Sequence, residues 1–229
     1  MLTSQMPVTQ HPTIVAAIFD MDGLLLDTER MALDCWHAAA KQLGHTIDPA
    51  VPLGMIGMHS SKTLAYLNEQ LGSDFPSQRL RELTHEIYMS RSEQPIALRP
   101  GVLELFSWLE QHGIRKAVAT STRRSIAEHH LKQANLWSRI EFAVCGDEIL
   151  HPKPAPDIYL SAIAQLGVTA SACVVFEDSN FGAQAGHAAA CRVIMVPDLR
   201  PAEAQTLALG LEIVSSLHEA QTRLNAELS

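Results

Sequence analysis

Short apolar runs alternate with segments in which apolar residues recur every three or four positions, and this pattern predicts the architecture. The first run, IVAAIF at residues 14–19, ends at Asp20 and is followed by Gly23, as a buried strand bounded by a turn would be. Comparable runs lie at 116–119, 141–145, 172–176 and 192–196. Helical spacing at 101–112, 125–134 and 157–166, the last closed by Gly167, fills intervals between them. Continuous apolar strands separated by helices predict a parallel sheet covered on both faces, an α/β fold with a Rossmann-like core.

Residues 29–96 break the alternation. Helical patterns at 29–43, 61–71 and 77–92 follow one another with no convincing strand, divided by Gly44, Pro49, Pro52, Gly54, Gly57, Gly72 and Pro76. This stretch is expected to form a helical cap inserted after the first strand, with 26–28 and 95–100 as its hinges. The catalytic core then comprises 13–28 and 97–229, and residues 1–12 form a polar tail. Residues 202–228 read as helix with one strand-like piece at 212–214.

Composition narrows the class. The chain has 229 residues, 47% of them hydrophobic, and a formal charge of −8. No apolar run approaches the roughly 20 residues a membrane-spanning helix needs, and the first residues lack the order of a signal peptide, so neither membrane nor secretion is expected and the location is read as cytoplasmic. No basic stripe offers neutralisation of a nucleic-acid backbone. Cys35, Cys145, Cys173 and Cys191 have no CxxC spacing and read as reduced packing residues. A monomer or small homo-oligomer acting on a small metabolite fits these bounds.

Acidic side chains fall at the ends of two strands: Asp20 and Asp22 after the first, Glu177 and Asp178 after the run ending at Phe176. Ligands of open parallel sheets bind outside the carboxyl ends of strands, so these groups are placed to converge. Clustered carboxylates repel one another unless a hard cation such as Mg²⁺ sits among them. Taken singly, each has an ordinary explanation. Asp beside Gly caps turns, Thr120 and Ser121 suit a helix start, and Lys153 alone is a solvated lysine. The set, in this order, is what changes the reading.

The run FDMDGLLLDT at 19–28 resembles the first motif of the haloacid dehalogenase superfamily; Thr120 resembles the second, Lys153 in HPKPAPD the third, and FEDS at 176–179 the fourth. The resemblance, which spans residues 14–196, implies the following roles. Asp20 is the nucleophile that becomes an aspartyl-phosphate, and Asp22 the general acid and base. Mg²⁺ is held by Asp20, Asp178 and the backbone carbonyl of Asp22, with Glu177 as a direct or water-mediated helper. Thr120, the Ser121 amide and Lys153 hold the phosphoryl oxygens, and Lys153 also contacts Asp20.

An acid at position 22 is similar to the phosphatase and phosphomutase branches rather than the dehalogenases. The β-phosphoglucomutases share the FDxDG and KPAPD segments, but they carry a histidine where this chain has Ala32, and their substrate-loop arginine has no counterpart in GMHSSK at 57–62. Hydrolysis of a small phosphorylated metabolite, such as a sugar phosphate, is therefore expected, with phosphomutase as the alternative. A phosphonatase would need a cap lysine, for which Lys62 is the nearest candidate. A non-catalytic binding module would be expected to have lost one of Asp20, Asp22, Lys153 or Asp178. Met55, Met58, His59, Ser60 and Lys62 are candidate cap-loop substrate contacts, with a surface role for His59 and a core role for the methionines as the alternatives; Arg123 and Arg124 read as surface residues of a helix start, with steering of an anionic substrate as the alternative.

Overall fold

In the computed structural model, which describes residues 13–56, 58 and 60–228, six strands form one parallel sheet. They are β1 (Ala16–Phe19), β2 (Arg115–Thr120), β3 (Ala143–Cys145), β4 (Cys173–Glu177), β5 (Arg192–Met195) and β6 (Glu212–Ile213), in the spatial order β3-β2-β1-β4-β5-β6. Chain order reverses between β1 and β4, which leaves a crevice at their carboxyl ends. Strand β1 shows why its sequence is apolar throughout. Ala17 and Phe19 face one core and Ala16 and Ile18 the other, so neither face meets water.

On the first face, β1 packs under α5 (Val102–Gln111), α6 (Arg124–Gln133) and α10 (Leu217–Leu228). Phe19 stacks on Phe176 with ring centroids 4.8 Å apart and meets Phe106 at 4.9 Å. Fully burying side chains of this size contributes roughly 1.5–3 kcal/mol each. The second face is covered by α7 (Asp157–Leu166) and α8 (Asn180–Ala188).

The insert is helical, comprising α1 (Thr28–Gln42), the short α2 (Ala50–Leu53), α3 (Ser60–Leu71) and α4 (Ser77–Arg91). It has its own apolar centre, with Ala39, Ala40, Leu67, Leu80 and Leu83 buried together. Its two connections run side by side. Leu26 and Leu98 form an antiparallel bridge, and Asp27 N–H donates to Ala97 O at 2.9 Å. Asp198, after β5, accepts from both Arg30 and Arg99, tying the start of the cap and its return to the core.

The sequence reading differs at several edges. Pairing in β1 begins at Ala16 rather than residue 14. β3 begins at Ala143, although the chain already approaches β2 before it, with Glu141 N–H donating to Lys116 O at 2.8 Å and Phe142 O accepting from Val118 N–H at 3.1 Å. The turn α2 was not anticipated. Residues 202–228 hold two helices, α9 (Ala204–Leu207) and α10, divided by β6 on the sheet edge. All four cysteines are buried and free. The polar tail 1–12 lies outside the described residues, and no described helix is long and apolar enough to cross a membrane.

Candidate active site

Three strand ends and one loop build the site. Asp20 follows β1, whose extended backbone continues as Asp20 N–H donates to Phe176 O at 3.0 Å. The chain then turns at Gly23, whose φ of +83° favours glycine. A Cβ there would also collide with the Asp178 carboxylate. Glu177 closes β4 and Asp178 follows it, so the β1–β4 pairing brings the two acidic ends together.

One atom each of Asp20, Glu177 and Asp178 lie within 4.8 Å of one another, and all three residues are buried. Lys153 enters the cluster from the loop before α7. Its Nζ donates to Asp20 Oδ1 at 2.6 Å, Glu177 Oε1 at 2.6 Å and Ala119 O at 3.1 Å, which uses its three protons. Glu177 is engaged on both oxygens. Tyr159 donates its hydroxyl to Oε1, while Ser179 donates its backbone N–H (3.3 Å) and hydroxyl (3.1 Å) to Oε2. The same Ser179 hydroxyl accepts from Gly182 N–H and caps α8. Asp178, by contrast, receives no hydrogen bond from the described residues.

One ammonium facing three carboxylates leaves an excess of negative charge in a buried place. Burial, opposed by Lys153, pushes the Asp20 carboxyl up to about 8. Burial and the charges of Asp20 and Glu177 hold Asp178 well above the usual carboxylate range. Burial by itself would lower Lys153, but Asp20 and Glu177 raise it above the ordinary lysine value. Such a cluster fits a divalent cation, which would take the oxygens the protein leaves free, above all those of Asp178. The triad of Asp20, Glu177 and Asp178 could bind a metal.

Asp22 stands apart from this cluster, with Thr120 Oγ1 donating to its Oδ2 at 3.0 Å and Thr122 Oγ1 at 2.8 Å. Thr120 also accepts from Thr122 N–H at 3.0 Å and is fully buried behind the loop, whereas Ser121 and Thr122 face the open space.

That space is a cavity of about 730 Å³ between sheet and cap, lined at its base by Asp20, Asp22, Lys153 and Asp178. The cap lines it mainly from α4, where Arg81, Glu82, His85, Tyr88 and Met89 recur with the turn of the helix. Met55, Met58 and Ala32 also line it. Lys62 is exposed on α3 and does not line the cavity; His59 and Gly57 lie outside the described residues, as does the side chain of Ser60. Arg123 lines the cavity, while Arg124 is turned to Glu148 and Ala143 O.

The sequence reading missed four contributors. Thr122 is one hydroxyl beyond the pair it singled out. Tyr159 is six residues after Lys153 on the buried face of α7, where an aromatic reads as packing. The α4 stripe carried no signal beyond its helical period. Glu29 lines the cavity as well. Burial, then the charges of Asp22, Asp20 and Asp198, push its carboxyl up to about 8 from 4.5.

Between those two values the folded chain holds a proton at Glu29 that the unfolded chain releases, so stability falls as pH rises through that window. The side chain is half-buried and water screens part of the effect. In metal-free protein, Glu29→Gln is expected to gain about 1–2 kcal/mol on wild type at pH 8 and little at pH 4.5. Urea unfolding at the two pH values measures it, and an equal difference at both would contradict this account of Glu29.

Residues 17–196 match the family described as haloacid dehalogenase-like hydrolase. The chain is 33% identical over 173 residues to the fructose-1-phosphate phosphatase YqaB of Escherichia coli, covering 75% of this chain and 90% of that one. It is 30% identical over 174 residues to the phosphorylated carbohydrates phosphatase of Thermotoga maritima, covering 76% and 81%. Among solved structures, a HAD family hydrolase from Deinococcus radiodurans with bound phosphate and sodium superposes with a TM-score of 0.76 at 26% identity, covering 93% of this chain and 96% of that one.

Proposed function

The chain belongs to the haloacid dehalogenase-like hydrolases and is a phosphatase of that family, and from this premise we propose that it hydrolyses a small sugar phosphate with Mg²⁺ through an aspartyl-phosphate on Asp20. The observation that carries the reading is the buried cluster of Asp20, Glu177 and Asp178 around Lys153, at the base of a cavity large enough for a whole metabolite. The two carbohydrate-phosphate phosphatases among its relatives support the substrate class.

In the first step a carboxylate oxygen of Asp20 bonds to phosphorus as the bond from phosphorus to the substrate's ester oxygen breaks. Asp22 gives that departing oxygen a proton, then takes one from the water whose oxygen displaces Asp20 in the second step. The Thr120 hydroxyl has one proton and donates it to Asp22 in this structure. Delivering Asp22 to the leaving group therefore frees Thr120 for a phosphoryl oxygen. Ser121 meets the phosphoryl group from the same loop, and Lys153 holds Asp20 in place while offsetting charge.

Asp20 and Asp178 would hold Mg²⁺, joined by the Asp22 carbonyl. Glu177, whose oxygens already serve Lys153, Tyr159 and Ser179, stands beside them chiefly as the counter-charge of Lys153. When bound, the ion shields the attacking carboxylate from the phosphoryl oxygens. Ala32 in the cavity wall leaves the place of the mutase histidine without a titratable group, which supports water rather than a sugar hydroxyl as the acceptor. Lys153 is the one lysine among the described lining residues, so a phosphonatase's cap amine has no counterpart there.

The test is phosphate release from a panel of sugar phosphates, nucleotides and phosphorylated acids, with Mg²⁺ and with EDTA. Release is expected with Mg²⁺ and a fall of roughly 10³-fold or more with EDTA. Equal rates in EDTA would sink the metal assignment, and release from nucleotides alone would sink the sugar phosphate.

A further inference from the structure

Two arginines face the cavity with no partner among the described residues. Every other arginine of this chain lies against an acidic side chain, as Arg124 does against Glu148 and Arg139 against Glu110, or, for Arg91, beside Cys35. In a protein of charge −8 an acidic neighbour is easy to find. Arg81 and Arg123 have none, and both line the cavity, one from the cap on α4 and the other from the core at the start of α6. Glu82, the carboxylate nearest Arg81 in sequence that also lines the space, is engaged by Gln78 and Arg79 instead.

We infer that Arg81 and Arg123 form a second anion subsite, so that preferred substrates carry a phosphate or carboxylate in addition to the phosphoryl group that is cleaved. This rests on the phosphatase reading of the cavity and goes beyond it by naming what the far end of the substrate must offer. A guanidinium presents paired donors that match either anion, and an unpaired one gives up no internal bond when a ligand arrives. The start of α6, where Ser121, Thr122 and Arg123 all face the cavity, adds its helix dipole in the same sense. The acidic base of the cavity repels a free anion, so the second group is drawn to the arginines and the metabolite is oriented end to end. Because Arg81 belongs to the cap and Arg123 to the core, a bridging anion ties the two together over the substrate.

The experiment is calorimetric titration with Mg²⁺ of protein carrying Asp20→Asn, using matched ligands that differ by one anion. A hexose 6-phosphate is compared with the hexose 1,6-bisphosphate, and glycerol 1-phosphate with 3-phosphoglycerate. In at least one pair the more anionic member is expected to bind about tenfold tighter or better. Adding Arg81→Gln, or separately Arg123→Gln, should shrink that gap to about threefold or less. A gap confined to one pair assigns the subsite to phosphate or to carboxylate. Equal binding within both pairs, or a gap that survives both substitutions, overturns the proposal. Turnover by the wild-type enzyme separates the two readings. Phosphate release with no preference within either pair removes the subsite and leaves the phosphatase standing. A binding gap with no release from any ester removes the phosphatase reading and leaves the anion subsite.

Discussion

Asp20→Asn is expected to lower the rate of phosphate release by roughly 10⁴-fold or more while leaving the protein folded and no less stable. The amide cannot serve as nucleophile, so the covalent step is lost rather than slowed by misplacement. Stability should hold for a separate reason. The Asp20 carboxyl is pushed up to about 8 by its burial, so near neutral pH the metal-free fold is working against that charge. A neutral isostere removes the strain while Lys153 keeps its bonds to Glu177 and Ala119 O. Steady-state kinetics and a thermal melt in EDTA measure the two effects. A variant with more than a tenth of wild-type kcat would remove Asp20 from the nucleophile's role.

Lys153→Met is expected to damage both stability and rate. Among the described residues the ammonium is the sole cation hydrogen-bonded within the acidic cluster, and its replacement leaves Asp20 and Glu177 buried without their shared partner. Breaking a buried pair from one side costs about 3–5 kcal/mol, and metal-free protein should show that loss in urea unfolding. Adding Mg²⁺ should restore part of it by supplying positive charge to the same carboxylates. Rate should stay depressed by about 10²-fold or more even with saturating Mg²⁺, because a mobile ion does not hold Asp20 at the distance Lys153 does. A variant as stable as wild type in EDTA would mean that Lys153 does not offset the buried carboxylates. A fast one would mean that Lys153 is structural.

Much of this fold is legible along the chain because its determinants are local. Strand β1 must be apolar on both faces, so AAIF reads as a central strand from its residue types alone. The α7 bounds, Asp157–Leu166, follow from an acidic first turn and a left-handed glycine at the end. Strand edges were less legible because pairing partners decide them. The bounds of β3 are set by its register against Val118–Thr120 of β2, a pairing across more than twenty positions that local sequence does not encode.

The site divides along the same line. Asp20, Asp22, Glu177 and Asp178 could be placed from sequence because each follows a strand, whereas Lys153 stands out only through the resemblance of HPKPAPD to the family's third motif. Their mutual engagement could not be read that way. That Glu177 is saturated by Lys153, Tyr159 and Ser179, while Asp178 is left free, depends on how α7 and α8 dock on the sheet. Sequence also pointed to the cap loop, of which Met55 and Met58 line the cavity and Lys62 does not, but gave no sign that α4 supplies most of the cap's wall. A helical period tells which residues share a face but not which face meets the core. The chain by itself therefore determined the sheet, the cap and the acidic strand ends, since those rest on local periodicity and turn chemistry. Only the tertiary structure decided which charges are paired and which arginines face the cavity without a partner among the described residues, because pairing depends on distances between elements that sequence order does not encode.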